Sequence, residues 1–219
     1  MARSFVLSKG EVLWREGEGA ESVLALEEGR LGVQIGGHLV SVIHRGAALG
    51  ESALLSHEAR EPRRMATVVA LEEGASVTEY PTAAIREMFD AGDGRVASLI
   101  LKTLAAQVCK DALLVIVANP DQPLVEAVLK EIARSVAIVE PGRQPTWPVY
   151  LADFRFLYRL RNFTESLRDE DIPCQEPEVV EKASHLVSEL FQGSDMVPLL
   201  ETFLRSEREA LLGSRKAPA

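Results

Sequence analysis

The chain has 219 residues, of which 47% are hydrophobic and 26% are charged, and its formal net charge is -9. A chain of this length can bury the core of one large domain or of two small ones, and the composition is typical of a globular protein. The acidic balance argues against nucleic acid as a partner, because nucleic-acid binders usually carry a basic stripe that replaces phosphate counterions.

The same sequence argues against metal, membrane and secretion. The two cysteines, Cys109 and Cys174, form no CxxC motif, so we expect neither a disulfide framework nor a zinc site. Residues 1–9 lack the apolar core of a signal peptide, and the longest apolar run, 112–118, is too short for a bilayer. We expect a cytoplasmic protein with no cofactor and no membrane contact.

The first part of the chain, up to about residue 81, alternates β-prone pieces with glycines. Short strands separated by glycine turns are typical of an antiparallel barrel or sandwich. Gly36 and Gly37 can supply the positive φ angles of a tight hairpin turn. The predicted strands cover residues 12–14, 22–26, 31–35, 38–43, 65–70 and 76–79.

The pattern becomes helical from Thr82, which we expect to cap a short helix. A longer helix is predicted over 95–118, ended by Asn119 and Pro120, because apolar residues recur four apart. Further helices are predicted at 121–139, 151–167, 176–191 and 194–212, with a loop at 140–148. The predicted fold class is α+β: an antiparallel β-barrel of the jelly-roll or double-stranded β-helix type, then a long helix and an all-α region. The predicted domains are 1–118 and 119–219.

One motif in the β-rich part suits the binding of a phosphate ester. Gly50 lets the backbone approach a ligand closely, and residues 51–55 can form a short helix whose first amides face an anion. A downstream arginine supplies a charged fork that matches phosphate oxygens. Glu51 can accept a hydrogen bond from a ribose hydroxyl.

Segments 46–55 and 63–70 together resemble the phosphate-binding cassette of cyclic-nucleotide-binding domains, the family of the catabolite activator protein and the kinase regulatory subunits. The turn glycines upstream match in order and spacing, over roughly the first half of the chain. The resemblance implies a cyclic nucleotide as regulatory ligand, with Glu51 on the ribose and Arg64 on the phosphate. The expected ligand-binding residues are Gly50, Glu51, Ser52, Ala53, Arg60, Arg63, Arg64, Met65, Ala66 and Gln107.

The sequence departs from the family pattern in the loop at 56–63, which is several residues longer than usual. Arg60, Arg63 and Arg64 therefore compete for the phosphate. Arg64 is favoured because it precedes Met-Ala-Thr-Val, whereas Arg60 lies nearer the usual distance from Gly50. Met65 stands where a threonine or serine often helps, which weakens the case for cGMP. The longer basic loop could also accept a cyclic dinucleotide.

Base recognition is expected from the long helix, because relatives often lay one of its side chains over the purine. Thr103, Gln107 and Lys110 share one helical face. Gln107 can both donate and accept hydrogen bonds, which suits a purine edge, whereas a lysine such as Lys110 is expected in solvent.

The C-terminal half shows neither a helix-turn-helix pattern nor a catalytic signature. Its arginine-rich helix at 153–168 could contact a partner, although a solvated face is the favoured interpretation. We therefore expect a non-enzymatic sensor that couples ligand binding to a helical domain with a protein partner. A diverged DNA-binding regulator and a ligand-free scaffold are the alternatives.

The long helix at 95–118 is apolar over more than one stripe, so it must meet more than the barrel. Relatives often dimerise through this helix, which favours a homodimer. Coverage by the helical half of the same chain is the alternative.

Overall fold

The computed structural model describes residues 2–55, 63–169, 174 and 176–214. The chain divides into two compact units, Met1–Ile100 and Leu101–Ala219. Across the described ranges, eight strands in two antiparallel sheets precede six helices, which confirms the α+β class. The domain boundary expected after residue 118 stays a prediction.

The first unit contains a sandwich of two four-stranded sheets, with strand orders that bring distant parts of the chain side by side. The sheets have the orders β1-β8-β3-β6 and β2-β7-β4-β5. All six predicted strands are present, and the sequence analysis missed only the first strand and a two-residue strand. The strands are β1 (Arg3–Leu7), β2 (Val12–Trp14), β3 (Ser22–Glu28), β4 (Arg30–Ile35), β5 (His38–His44), β6 (Ala48–Leu49), β7 (Thr67–Ala70) and β8 (Ala75–Pro81).

The core of the sandwich is built around β3, which lies between β8 and β6. Its first five residues are all buried, so both faces of this part of the strand are covered. The hairpin between β4 and β5 closes at Gly36 and Gly37, whose φ angles of 56° and 84° are positive, as the sequence predicted. The register between β3 and β8 places the beginning of β3 beside the end of β8, where Ser22 pairs with Pro81.

Two helices begin in the first unit, α1 (Thr82–Asp90) and α2 (Arg95–Ala118). The limits of α2 agree with the predicted helix at 95–118. The predicted capping role of Thr82 is wrong, because Pro81 is the N-cap and no side chain caps α1. β8 runs through Pro81, so Thr82 is already helical and its amide donates to the Glu21 carbonyl at 3.0 Å.

The second unit is helical, with α3 (Gln122–Ile138), α4 (Trp147–Asp169), α5 (Pro177–Leu190) and α6 (Val197–Ser214). The four predicted helices are present, but α4 begins four residues earlier than expected. Pro148 suggested a loop, although proline is favoured in the first turn of a helix, where its missing N–H has no intrahelical partner. None of the helices in the described ranges is long and apolar enough to cross a bilayer.

A partly buried cluster of four charges joins three helices of the second unit. Arg168 on α4 donates to Asp111 on α2 and to Glu207 on α6, each at 2.5 Å. Lys110 lies 3.0 Å from the Asp111 carboxylate and 3.1 Å from that of Glu207. The side chains of Lys110 and Arg168 are only 14% and 15% exposed, so the solvent positions expected for both are wrong. Each cation is instead enclosed by two carboxylates.

The apolar residues of α2 are buried within a single chain. A second subunit is therefore not needed to cover them, which favours the alternative of coverage within one chain. The homodimer stays a prediction. The buried set includes Val96, Ile100, Leu101, Leu104, Val108, Leu113, Leu114 and Ile116.

Candidate anion-binding site

Arg64 points into the first unit, although it directly follows the loop predicted at 56–63. Its amide donates to the Glu18 carbonyl, and its own carbonyl accepts from the Gly17 amide, both at 2.8 Å. Successive side chains of an extended backbone alternate in direction. Arg63 and Met65 are accordingly exposed, while Arg64 is only 6% exposed.

The guanidinium of Arg64 is held by two residues from different sheets. Nη1 donates to the Ser22 carbonyl at 2.9 Å, and Nη2 donates to Ser22 Oγ at 3.0 Å. Its central carbon lies 3.8 Å from the centre of the Trp14 ring, which is a cation–π contact. The ring is fixed in turn because Trp14 Nε1 donates to the Ala66 carbonyl at 3.1 Å.

Glu79 connects to the arginine through Ser22. Ser22 Oγ lies 2.7 Å from Glu79 Oε1, across the pairing of β3 with β8. An ionised carboxylate only accepts hydrogen bonds, so the Ser22 hydroxyl donates to Glu79. Because a guanidinium only donates, the same hydroxyl oxygen accepts from Arg64.

Gly50 and Arg64, which the sequence analysis assigns to the same ligand site, lie next to each other. Gly50 has a φ of 77°, a region that residues with a side chain rarely adopt. A Cβ atom at this position would lie 2.4 Å from Arg64 Nη1 and 3.2 Å from Trp14 Cη2. Glycine is therefore required here both by the backbone conformation and by the close approach of the arginine.

The electrostatics around Arg64 leave its charge incompletely compensated. Burial lowers the pKa of the guanidinium, and the negative charges of Glu79, Glu51 and Glu18 act in the opposite direction. Among the described residues, no carboxylate forms an ion pair with Arg64, and its buried Nε has no hydrogen-bond partner. The first unit thus holds a buried cation with unused donor capacity beside a glycine.

The segment after Gly50 forms a single 3-10 turn over Glu51–Leu55. The Ala53 amide donates to the Gly50 carbonyl at 3.1 Å, so it is used inside the turn. The expectation that the first amides of this segment face an anion stays a prediction. Glu51 and Ser52 are partly buried, and Glu51 is close enough to Arg64 to influence its pKa.

The remaining candidates lie in different places. Arg63 is exposed and donates to the Gly17 carbonyl at 2.8 Å, and Met65 is 66% exposed. Arg60 lies outside the described residues. Gln107 is on α2 in the second unit, where its side-chain oxygen is buried and has no hydrogen-bond partner in the described part of the chain. Its place over a purine stays a prediction.

Sequence reasoning missed three residues of this site. Trp14, Ser22 and Glu79 are not among the ligand-binding residues expected from the sequence. No local pattern marks them, because their contacts depend on strand pairing. No group of His, Cys, Asp or Glu suited to a metal ion occurs where the structure describes the chain.

Comparison with known families gives one match, and it falls within the first unit. Residues 5–91 match the family described as "Cyclic nucleotide-binding domain". No curated protein matches the chain.

Several solved structures are similar to parts of the chain. A cyclic nucleotide-binding-like protein from Brucella abortus is 26% identical, with 41% of this chain and 76% of that chain covered and a TM-score of 0.35. A putative cyclic nucleotide-binding protein from Geobacter metallireducens is 17% identical, with coverages of 63% and 77% and a TM-score of 0.35. The structure titled "cAMP bound PfPKA-R (141-441)" is 14% identical, with coverages of 63% and 37% and a TM-score of 0.35.

Proposed function

We propose that this protein binds a cyclic nucleotide and acts as a regulatory sensor, because residues 5–91 match the cyclic nucleotide-binding domain family. In this proposal Arg64 binds the phosphate, Glu51 binds a ribose hydroxyl, and no catalytic step is involved. The helical second unit transmits the bound state to a protein partner.

The observation that carries the proposal is the buried guanidinium of Arg64 beside Gly50. Removing an ion from water costs several kcal/mol, on the order of the whole stability margin of a small domain. The two neutral acceptors of Ser22 offset part of this cost. A phosphate oxygen would supply the missing negative charge and accept from the unused N–H groups.

The charges around the site favour a ligand that carries one negative charge per phosphate. Glu18, Glu51 and Glu79 all contribute negative potential at Arg64. A phosphate dianion would be repelled by these carboxylates more strongly than a phosphodiester. The cyclic phosphodiester of cAMP or cGMP has a single charge, and its ribose hydroxyl offers a donor to Glu51. We favour cAMP, because Met65 has no hydroxyl to offer a guanine.

The direct test is titration calorimetry with cAMP, cGMP, a cyclic dinucleotide and linear 5′-AMP. We expect saturable binding of cAMP and weaker binding of 5′-AMP, whose terminal phosphate carries nearly two charges. Inorganic phosphate serves as the control for a general anion site. Equal binding of phosphate and cAMP would reduce the site to an anion site, and no binding by any nucleotide would refute the proposal.

A further inference from the structure

The geometry points to a further role: Ser22 and Trp14 are positioning residues that hold Arg64 ready for the ligand while leaving its positive charge available, and Glu79 orients Ser22. The inference rests on the proposed function, which assigns the phosphate to Arg64. It concerns residues that lie outside the phosphate-binding motif itself.

Counting donors shows what Ser22 does to the arginine. A guanidinium carries five N–H groups, and the Ser22 carbonyl and hydroxyl each accept one of them. The single hydroxyl hydrogen of Ser22 is already given to Glu79, so Oγ presents a lone pair to Arg64. Glu79 thereby fixes the orientation in which Ser22 can accept. Nε–H remains without a partner among the described residues.

Ser22 also separates the positive charge of Arg64 from the negative charge of Glu79. A carboxylate in direct contact with Arg64 would form an ion pair and neutralise the cation that an anionic ligand needs. Here the nearest hydrogen-bonded carboxylate, Glu79, reaches the arginine only through a neutral hydroxyl. The clamp of Ser22 and Glu79 therefore fixes the position of the guanidinium without cancelling its charge.

Trp14 supports the same guanidinium through its aromatic ring. Its ring lies 3.8 Å from the guanidinium carbon and is anchored to the Ala66 carbonyl. Its Cη2 atom also borders the space next to Gly50. Holding the side chain before the ligand arrives reduces the conformational entropy that binding would otherwise cost.

The fluorescence of Trp14 provides a way to observe how Arg64 is held. The chain has two tryptophans, Trp14 and Trp147, so Trp147→Phe leaves Trp14 as the sole source of indole emission. Trp147 lies in the second unit and stacks on Tyr150, a contact that phenylalanine can retain. In this background, Trp14 emission reports the position of the Arg64 guanidinium.

The experiment compares Ser22→Ala, Ser22→Thr and Glu79→Gln in the Trp147→Phe background, with circular dichroism as the check on folding. We expect Ser22→Ala to shift ligand-free Trp14 emission in the same direction as Arg64→Ala, and to weaken cAMP binding by roughly tenfold. Ser22→Thr retains the hydroxyl and should restore both readouts. Glu79→Gln retains an acceptor but not the charge, so it should alter emission less than Ser22→Ala does.

The ligand-free readout keeps this inference separate from the proposed function. If no nucleotide binds the parent protein, the proposed function fails while the emission series still reports the clamp. If Ser22→Ala keeps the parent emission and the parent affinity, the positioning role of Ser22 is overturned. Failure of the folded Ser22→Thr variant to restore either readout would overturn it as well.

Discussion

At the scale of single residues, the burial of one guanidinium determines what can bind beside Gly50. Arg64 has the same side chain as Arg63, but one is enclosed by Trp14 and Ser22 and the other lies at the surface. Exposed charges interact weakly because water screens them, whereas an enclosed charge contributes strongly to binding.

Arg64→Ala should weaken cAMP binding by about ten- to a hundredfold, since losing a charge-assisted hydrogen bond costs about 1.5–3 kcal/mol. Arg63→Ala is the matched control and should leave the dissociation constant within about twofold, because an exposed charge contributes little. Titration calorimetry measures both. Unchanged affinity in Arg64→Ala, with a loss in Arg60→Ala, would show that the loop arginine binds the phosphate.

Gly50→Ala should both destabilise the first unit and weaken the ligand, because the new methyl group would collide with Arg64 Nη1. Gly46→Ala is the matched control: its φ of 82° gives the same backbone strain, about 1–2 kcal/mol, but nothing lies within 4 Å of the added Cβ. Thermal unfolding should show a loss in both variants. Only Gly50→Ala should lose cAMP affinity, and equal affinities would contradict the close approach.

At the scale of the elements, buried charge joins helices that are distant in the sequence. α2, α4 and α6 meet at Asp111, Arg168 and Glu207, and Lys110 completes the cluster. Such clusters stabilise a fold only while every member keeps its partner, because removal of one leaves an uncompensated buried charge.

Glu207→Gln should therefore lower the free energy of unfolding by on the order of 3 kcal/mol at neutral pH. Burial by itself would raise the pKa of Glu207, but Lys110 and Arg168 outweigh it and hold the pKa below its usual value. A carboxyl with a lowered pKa stabilises the folded state above its unfolded pKa, and this stability is lost as the pH falls through the folded pKa. Urea unfolding should accordingly show less acid sensitivity in Glu207→Gln than in the parent. The exposed neighbour on α6, in Glu209→Gln, is the control and should behave like the parent.

At the scale of the whole molecule, burial of α2 decides what assembly is expected. Its large apolar residues, from Leu101 to Ile116, are buried within one chain. A helix that is already covered offers no apolar stripe to a second copy. The remaining exposed apolar side chains include Ile35, Leu39 and Val40 on the β4–β5 hairpin.

We therefore expect a monomer in solution, with a mass of 24.0 kDa by light scattering over a range of protein concentrations. A mass of twice this value would contradict the expectation and restore the homodimer predicted from the sequence. Leu39→Lys, on the exposed hairpin, would then show whether the dimer uses this edge strand, because charged side chains on an edge strand oppose pairing.

The sequence by itself determined the features that depend on a few neighbouring residues. The Gly36-Gly37 turn, the limits of α2 and the order of strands before helices all follow from local conformational preference and apolar periodicity. The motif around Gly50 and Arg64 could also be recognised from the sequence, because glycine permits a close backbone approach and arginine carries a charged hydrogen-bond donor. The predicted cap at Thr82 is wrong, because the pairing of β8 extends the strand to Pro81 and Thr82 is already helical.

Only the tertiary structure decided how Arg64 is held. The arginine and Ser22 are 42 residues apart in the chain, and Ser22 and Glu79 are 57 residues apart. No periodicity reaches over such separations, so their contact depends on which strands pair and in what register. The buried positions of Lys110 and Arg168 have the same origin, because the carboxylates that compensate them come from other helices. Local sequence specifies which groups are charged, and packing decides which of those charges lose their water and must find a partner.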